Sequence, residues 1–309
     1  MTLLYFTRFR KPALDRLYSR GISSVSMTTV PRGAWDSHLH VTDPEIFPIS
    51  SKATYKPHSA LLPQAFDNAR RLNLPNLVFV QPSTYGIDNA CLLDALRKVG
   101  PLNGRGVIVI DPKTIKLETL RMYHTLGVRG VRINLKSVST KMAPKELTDM
   151  LRLHAEAIRP LRTWALQLYL DMELLDEIGD FLTDLSMKVV LDHFGTPKEL
   201  TSDLSKIPGW KAMCKFMEHP EAYVKISAPY RMSKDPQFKD LEAIAKELLS
   251  MRNGEGVVFA SDWPHTRFEG VDVVPFVERC LEWCADNVQL RERLFRDNAK
   301  RLWDVSHSE

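Results

Sequence analysis

Eight short apolar runs, most of them rich in β-branched residues, recur along the chain at 34–38, 77–81, 106–110, 130–133, 165–169, 188–193, 223–227 and 257–262. Apolar residues fill most of these runs, as in parallel strands buried on both faces. Between them, apolar positions return every three or four residues over 62–72, 89–98, 117–126, 144–158, 173–185, 210–217 and 238–251, which predicts amphipathic helices. A further helix is expected over 275–285. Strand and helix alternating eight times predict an α/β fold, a (β/α)8 TIM barrel, as a single domain over 33–309 behind an N-terminal extension, 1–32. An open doubly wound sheet is the competing architecture. It would normally carry a glycine-rich dinucleotide turn, and no GxGxxG occurs here.

Composition narrows the class. The 309 residues are 44% hydrophobic and 26% charged, which suits one globular barrel of ~250 residues plus an extension. No apolar stretch approaches the ~20 residues of a membrane span, so no membrane partner is expected. The net charge of +4 is concentrated in the first 33 residues, where Arg8, Arg10, Lys11, Arg16, Arg20 and Arg32 face one acid, Asp15. The remainder is near neutral, so no nucleic-acid footprint is expected and the partner is a small-molecule substrate. The basic, Ser/Thr-containing start fits a mitochondrial transit peptide or a loosely packed extension. Met27 would serve as an alternative start, leaving the cytoplasmic enzyme that is the primary expectation. Cys91, Cys214, Cys280 and Cys284 form no CxxC pair and are expected to pack in the core as reduced thiols.

The candidate chemistry sits at strand ends. His38, Gln81, Asp111, Arg132, Tyr169, His193, Ser227 and Asp262 end or follow the eight runs, which in a barrel is the catalytic rim. His38 and His40 are two apart and share a strand face. If the first and last strands are neighbours, Asp262 meets them, and the set would make a hydrolytic site. His58 is expected near the pocket, whereas His124, His154 and His219 read as surface or packing residues. His265 has no assignable role. Trp164, Trp210, Trp283 and Trp303 are expected to seal helix–barrel contacts, with Trp35 and Trp263 shaping the pocket floor.

The segments WDSHLHV, KATYKP, VQPSTYGIDN, GVRGVRINL, LDHFGTP, KISAPYR, ASDWPH and NAKRLW, in that order from about residue 33 to 304, resemble the metal-independent lactonase branch of the amidohydrolase superfamily. The resemblance implies hydrolysis of a cyclic ester. It makes Asp262 the general base on water, has His38, His40 and His193 polarise the lactone carbonyl, and gives Tyr55, Ser83, Arg132, Tyr169 and Arg231 the substrate's carboxylate. Two departures stand out. Asn134-Leu135-Lys136-Ser137-Val138-Ser139 and Thr196 occupy places where dicarboxylate-cleaving members carry further arginines. Lysine or threonine does not reproduce a bidentate arginine clamp. A lactone with one carboxylate, or with hydroxyl or aromatic groups instead, is therefore expected.

No cofactor is expected. The superfamily's binuclear centre needs a bridging lysine or glutamate and a fifth-strand histidine, where this chain has Asn134 or Lys136 and Tyr169. A single zinc on His38, His40, His193 and Asp262 is the alternative, and with it a zinc-dependent decarboxylase of an aromatic or dienoic acid. A catalytically dead scaffold barrel is the third reading.

Overall fold

The computed structural model describes residues 30–137 and 142–305, without the side chain of Ser137. The transit-peptide expectation, with Met27, lies outside the described residues, as do Val138 and Ser139.

Eight parallel strands run β1 (Trp35–Leu39), β2 (Asn76–Val80), β3 (Gly104–Ile108), β4 (Val128–Asn134), β5 (Ala165–Tyr169), β6 (Lys188–Leu191), β7 (Ala222–Ile226) and β8 (Val257–Phe259), each hydrogen-bonded to the next in chain order. Helices alternate with them: α1 (Leu62–Leu72), α2 (Ala90–Val99), α3 (Leu117–Thr125), α4 (Pro144–Ile158), α5 (Leu175–Asp184), α6 (Trp210–Glu218), α7 (Glu242–Ser250) and α8 (Val274–Trp283). The result is the expected TIM barrel, and α1 and α4 have the bounds their periodicity predicts. Both carry a proline in the first turn, Pro63 at the second position of α1 and Pro144 at the first of α4, where its missing N–H costs nothing. A side chain three residues on reaches back to the backbone before it: Gln64 to Leu61 N at 2.7 Å and Glu146 to Ala143 N at 3.3 Å.

The strands expected to reach His193 and Asp262 stop earlier, at Leu191 and Phe259. Both site residues have left-handed backbones, φ 51° for His193 and 59° for Asp262, which a strand does not accommodate. Ser261 and Asp262 instead help close the barrel against β1. Asp262 N donates to His38 O at 2.9 Å, and His40 N to Trp263 O at 2.8 Å. The Asp36 carboxylate accepts from Ser261 N at 2.9 Å and from the Ser261 hydroxyl, a side chain serving where a ladder partner would be.

The opposite mouth is plugged from the C-terminus. Trp303 is fully buried against Trp35, Val107, Val190, Tyr223 and Val258, and its indole donates to Ser37 Oγ at 3.2 Å. Trp303 thus fills the barrel rather than sealing its outside. Trp35, also expected elsewhere, lies with it at the N-terminal end rather than on the pocket floor. Among the described residues the four cysteines are free, and no helix is long and apolar enough to cross a membrane.

Candidate active site

Inward-facing positions of the barrel change character toward its C-terminal end. Val78, Val107, Ala165, Val190, Tyr223 and Val258 form an apolar interior, above which Gln167, Asp192 and Lys225 make a buried polar layer. Asp192 gathers this layer. Gln167 Nε2 donates to its two oxygens at 2.8 and 3.1 Å, Arg132 Nε lies 3.3 Å away and Lys225 Nζ 3.4 Å away. These cations outweigh the effect of burial and hold its carboxyl well below the usual carboxylate range. Burial pushes the Lys225 ammonium down to about 8.

His38 rests on that layer, fully buried, with Nδ1 3.3 Å from both Lys225 Nζ and Asp192 Oδ1. Its Nε2 lies 3.3 Å from His40 Nε2 and 3.6 Å from Asp262 Oδ1. His40 Nε2 is 3.7 Å from the same oxygen and His193 Nε2 3.9 Å. The barrel therefore brings the three imidazoles and the carboxylate around one point. His40 is oriented by Nδ1 on Val80 O at 2.7 Å, and His193 by Nδ1 on Ser227 Oγ at 2.8 Å. Burial lowers both rings to about 4 and His38 well below its ordinary value, so all three are neutral at pH 7. The non-glycine left-handed backbones at His193, Ala228 and Asp262 cost about 1–3 kcal/mol each, strain that the surrounding packing holds in place.

The two oxygens of Asp262 are unlike. Oδ2 accepts from Tyr230 Oη at 2.7 Å and from Arg231 Nε and Nη2 at 3.1 and 3.0 Å. Oδ1 is buried without a hydrogen-bond partner among the described residues and faces the imidazoles. Burial raises this carboxyl's pKa, but the Arg231 guanidinium and the charge that the imidazoles, led by His193, take up in acid bring it below the ordinary value. Asp262 is ionised at neutral pH.

A cavity of about 430 Å³ opens above the cluster. Tyr55, Ser83, Arg132, Tyr169 and Arg231, the residues expected to meet substrate, all line it, together with His40, His193 and Asp262. His38 does not; it supports the others from below. Arg231 lines the cavity, but its hydrogen bonds go to Asp262 Oδ2 and, at 3.4 Å, to Thr266 O. Lys52, Lys136 and Arg267 add to the wall, so five cations surround the one acid that lines it. Lys136 is paired with Asp171.

Three expectations need correction. Gln81 is buried but donates to Gly86 O and Asp88 O, holding a loop. Asp111 folds back on Lys113 N and Thr114 Oγ1, away from the cavity. His58 is exposed and not part of the wall. Thr196 is buried with its hydroxyl toward Asp192 O, leaving no cation at that position. Lys225, Asp192, Gln167 and Tyr230 went unforeseen as members of the site. A lysine inside the apolar strand Ala222-Tyr223-Val224-Lys225-Ile226 was the available signal, since inside a barrel it requires buried partners.

The spacing of His38 Nε2, His40 Nε2 and Asp262 Oδ1 is what bonds of about 2.0–2.2 Å to one zinc ion would span. Charge argues otherwise. Lys225, Arg132 and the half-buried Arg231 already balance the carboxylates of Asp36, Asp192 and Asp262, so a dication would add charge to a neutral cluster. A zinc-bound His38 would carry its hydrogen on Nδ1, which lies 3.3 Å from both the Lys225 ammonium and Asp192 Oδ1.

Fold and site together define a (β/α)8-barrel enzyme built on imidazoles and a carboxylate at the C-terminal rim. The amidohydrolase family profile matches residues 35–305, and the chain belongs to that family. It is 29% identical over 293 residues to a 2-pyrone-4,6-dicarboxylate hydrolase of Comamonas testosteroni, covering 89% of this chain and 91% of that one. It is 28% identical over 286 residues to a 4-sulfomuconolactone hydrolase of Rhizobium radiobacter, with coverages of 89% and 91%. Among solved structures, a 2-pyrone-4,6-dicarboxylic acid hydrolase from Pseudomonas putida superposes with a TM-score of 0.75 at 29% identity, over 90% of this chain and all of that one.

Proposed function

We propose that this chain is a hydrolase that opens an anionic lactone, with Asp262 as general base on water. The observation that carries this reading is the division of labour on Asp262: Oδ2 is held by Tyr230 and Arg231, while Oδ1 faces the imidazoles without a partner. A water donating to Oδ1 would be activated for attack on a carbonyl above it. Positioned base catalysis of this kind contributes ~10²–10⁴-fold. If Ser227 donates to His193 Nδ1, the ring carries its hydrogen on Nε2 and presents it to the developing oxyanion, a contribution of roughly 2.7–4 kcal/mol per donor.

The cationic wall supports an anionic substituent. The relatives' names point the same way, to a dicarboxylate and a sulfonate. Lys52 and Arg267, from other loops, offset the missing family arginines, so a lactone carrying at least one carboxylate or sulfonate suits the cavity. No cofactor is needed for these steps. A complete site argues against an inert scaffold. The free thiols support an intracellular setting, the cytoplasm first and mitochondria as the alternative. Hydrolysis of a panel of lactones, each with and without an anionic group, tests the reading. Ring opening confined to the anionic members and abolished in Asp262→Asn is expected; failure to open any of them would overturn it.

A further inference from the structure

Lys225 is fully buried, comes from β7, reaches beneath the site and touches no part of the substrate cavity. Its surroundings are sparse for an ammonium with three N–H groups. They are Asp192 Oδ1 at 3.4 Å, His38 Nδ1 at 3.3 Å and the face of Trp303 with its centroid at 5.3 Å. Asp192, by contrast, has donors to spare in Gln167 and Arg132. If His38 Nδ1 accepts, the ammonium gains its second hydrogen bond and Asp192 loses nothing it requires. If Nδ1 carried hydrogen, it would face the Lys225 ammonium donor to donor and have only Asp192 Oδ1, also 3.3 Å away, to accept it; of the two contacts, the one to Lys225 has hydrogen-bond geometry.

We propose that Lys225 is a positioning residue that fixes His38 as its Nε2–H tautomer and thereby commits the cluster to work without a metal ion. The consequence reaches His40. Its Nδ1 lies against Val80 O, which can only accept, so its Nε2 carries a lone pair. With His38 Nε2–H opposite it at 3.3 Å, the contact becomes a donor–acceptor pair instead of two lone pairs awaiting a cation. That bond ties His38 and His40 together beside Asp262 Oδ1, where the attacking water would be held. The catalytic consequence rests on the hydrolase reading; the tautomer does not.

Long-range ¹H–¹⁵N correlation on protein labelled with ¹⁵N-histidine reads the tautomer directly, with His38→Gln identifying the ring. Wild type is expected to show His38 as Nε2–H. Lys225→Met is expected to move it to Nδ1–H, to bind Zn²⁺ at least tenfold more tightly by calorimetry, and to lose more than tenfold in kcat with KM within twofold. Lys225→Gln, which keeps a donor, should recover the wild-type pattern. An Nδ1–H signal in wild type would overturn the proposal, as would an unchanged tautomer in Lys225→Met. The wild-type spectrum decides even if the variants fail to fold. An Nε2–H spectrum in a protein that opens no lactone would sink the functional reading and leave this one standing.

Discussion

Tyr230 donates its phenolic hydrogen to Asp262 Oδ2 over 2.7 Å, on the oxygen turned away from the imidazoles. That bond, with the Arg231 pair on the same oxygen, decides which lone pairs of the carboxylate are left for water. Asp262→Asn should lower kcat by ~10²–10⁴, the scale of a lost general base. Tyr230→Phe should lower kcat about tenfold with KM little changed. On the Asp262→Asn background, Tyr230→Phe should do almost nothing, because residues acting through one group are not additive. Steady-state kinetics on the four proteins checks this; additive losses would show that Tyr230 acts elsewhere.

The rim cations make a separate prediction. Lys52 and Arg267 are exposed on the cavity wall, Arg267 lying over the Tyr55 ring at 4.6 Å. Neither touches the Asp262 cluster. Lys52→Ala and Arg267→Ala should each raise KM for an anionic lactone roughly threefold to tenfold and leave kcat within a factor of two. Added salt should weaken wild type toward the variants, since exposed charges are screened over about 10 Å at 0.1 M. A fall in kcat without a change in KM would move these residues from substrate capture to chemistry.

Arg132 faces two ways, lining the cavity while its Nε rests 3.3 Å from buried Asp192. Arg132→Met should therefore lower activity and stability together. Removing one member of a buried ion pair costs ~3–5 kcal/mol, although Gln167 and Lys225 remain on Asp192 to soften the loss. Urea unfolding beside kinetics tests this, and loss of activity at unchanged stability would restrict Arg132 to substrate binding.

Much of this site was legible in the sequence, and what was not has a physical reason. His38, His40, His193 and Asp262 stand at strand ends, and barrel topology alone brings such positions to one rim. The buried layer was harder to see. Asp192 and Lys225 are far apart in sequence, and only the pairing of β6 with β7 and their shared inward face set them together. Strand lengths were overestimated at Asp262 and His193 because left-handed backbone at non-glycine residues leaves no compositional mark. Arg231 was expected on substrate, and a motif match cannot reveal that its hydrogen bonds go to the Asp262 carboxylate. Trp303 was misplaced because nothing in an amphipathic C-terminal segment tells whether it packs around a barrel or into it.

Metal removal separates the two chemistries that the cluster's spacing admits. Full hydrolytic activity should survive dialysis against a strong chelator, and added zinc should bring no gain, because the buried cations already supply the positive charge around Asp262. Metal content and rate, measured on the same samples, check this. Activity lost on chelation and restored stoichiometrically by zinc would favour a metal-assisted reaction and the decarboxylase alternative.

The pH dependence of stability follows from three buried groups with opposed signs. Burial lowers His40 and His193 from 6.5 to about 4, so the unfolded chain binds more protons than the folded one between those values. Their contribution is complete above pH 6.5 and is lost as pH falls toward 4. Asp36 works the other way. Burial raises it from 3.8 to about 6 against its hydrogen bonds from Ser261, so its contribution is complete below pH 3.8 and is lost as pH rises toward 6. Two imidazoles against one carboxyl leave a net loss of roughly 1 kcal/mol per pH unit on acidification near pH 5. His38, lowered further by burial and Lys225, adds to that slope. The urea midpoint should therefore fall steadily from pH 6.5 to 4.5, and kcat/KM should hold until about pH 5 and drop as His40 and His193 take up protons. A midpoint that rises on acidification would mean that these rings are charged in the folded protein, which the donor pattern around Asp262 does not allow.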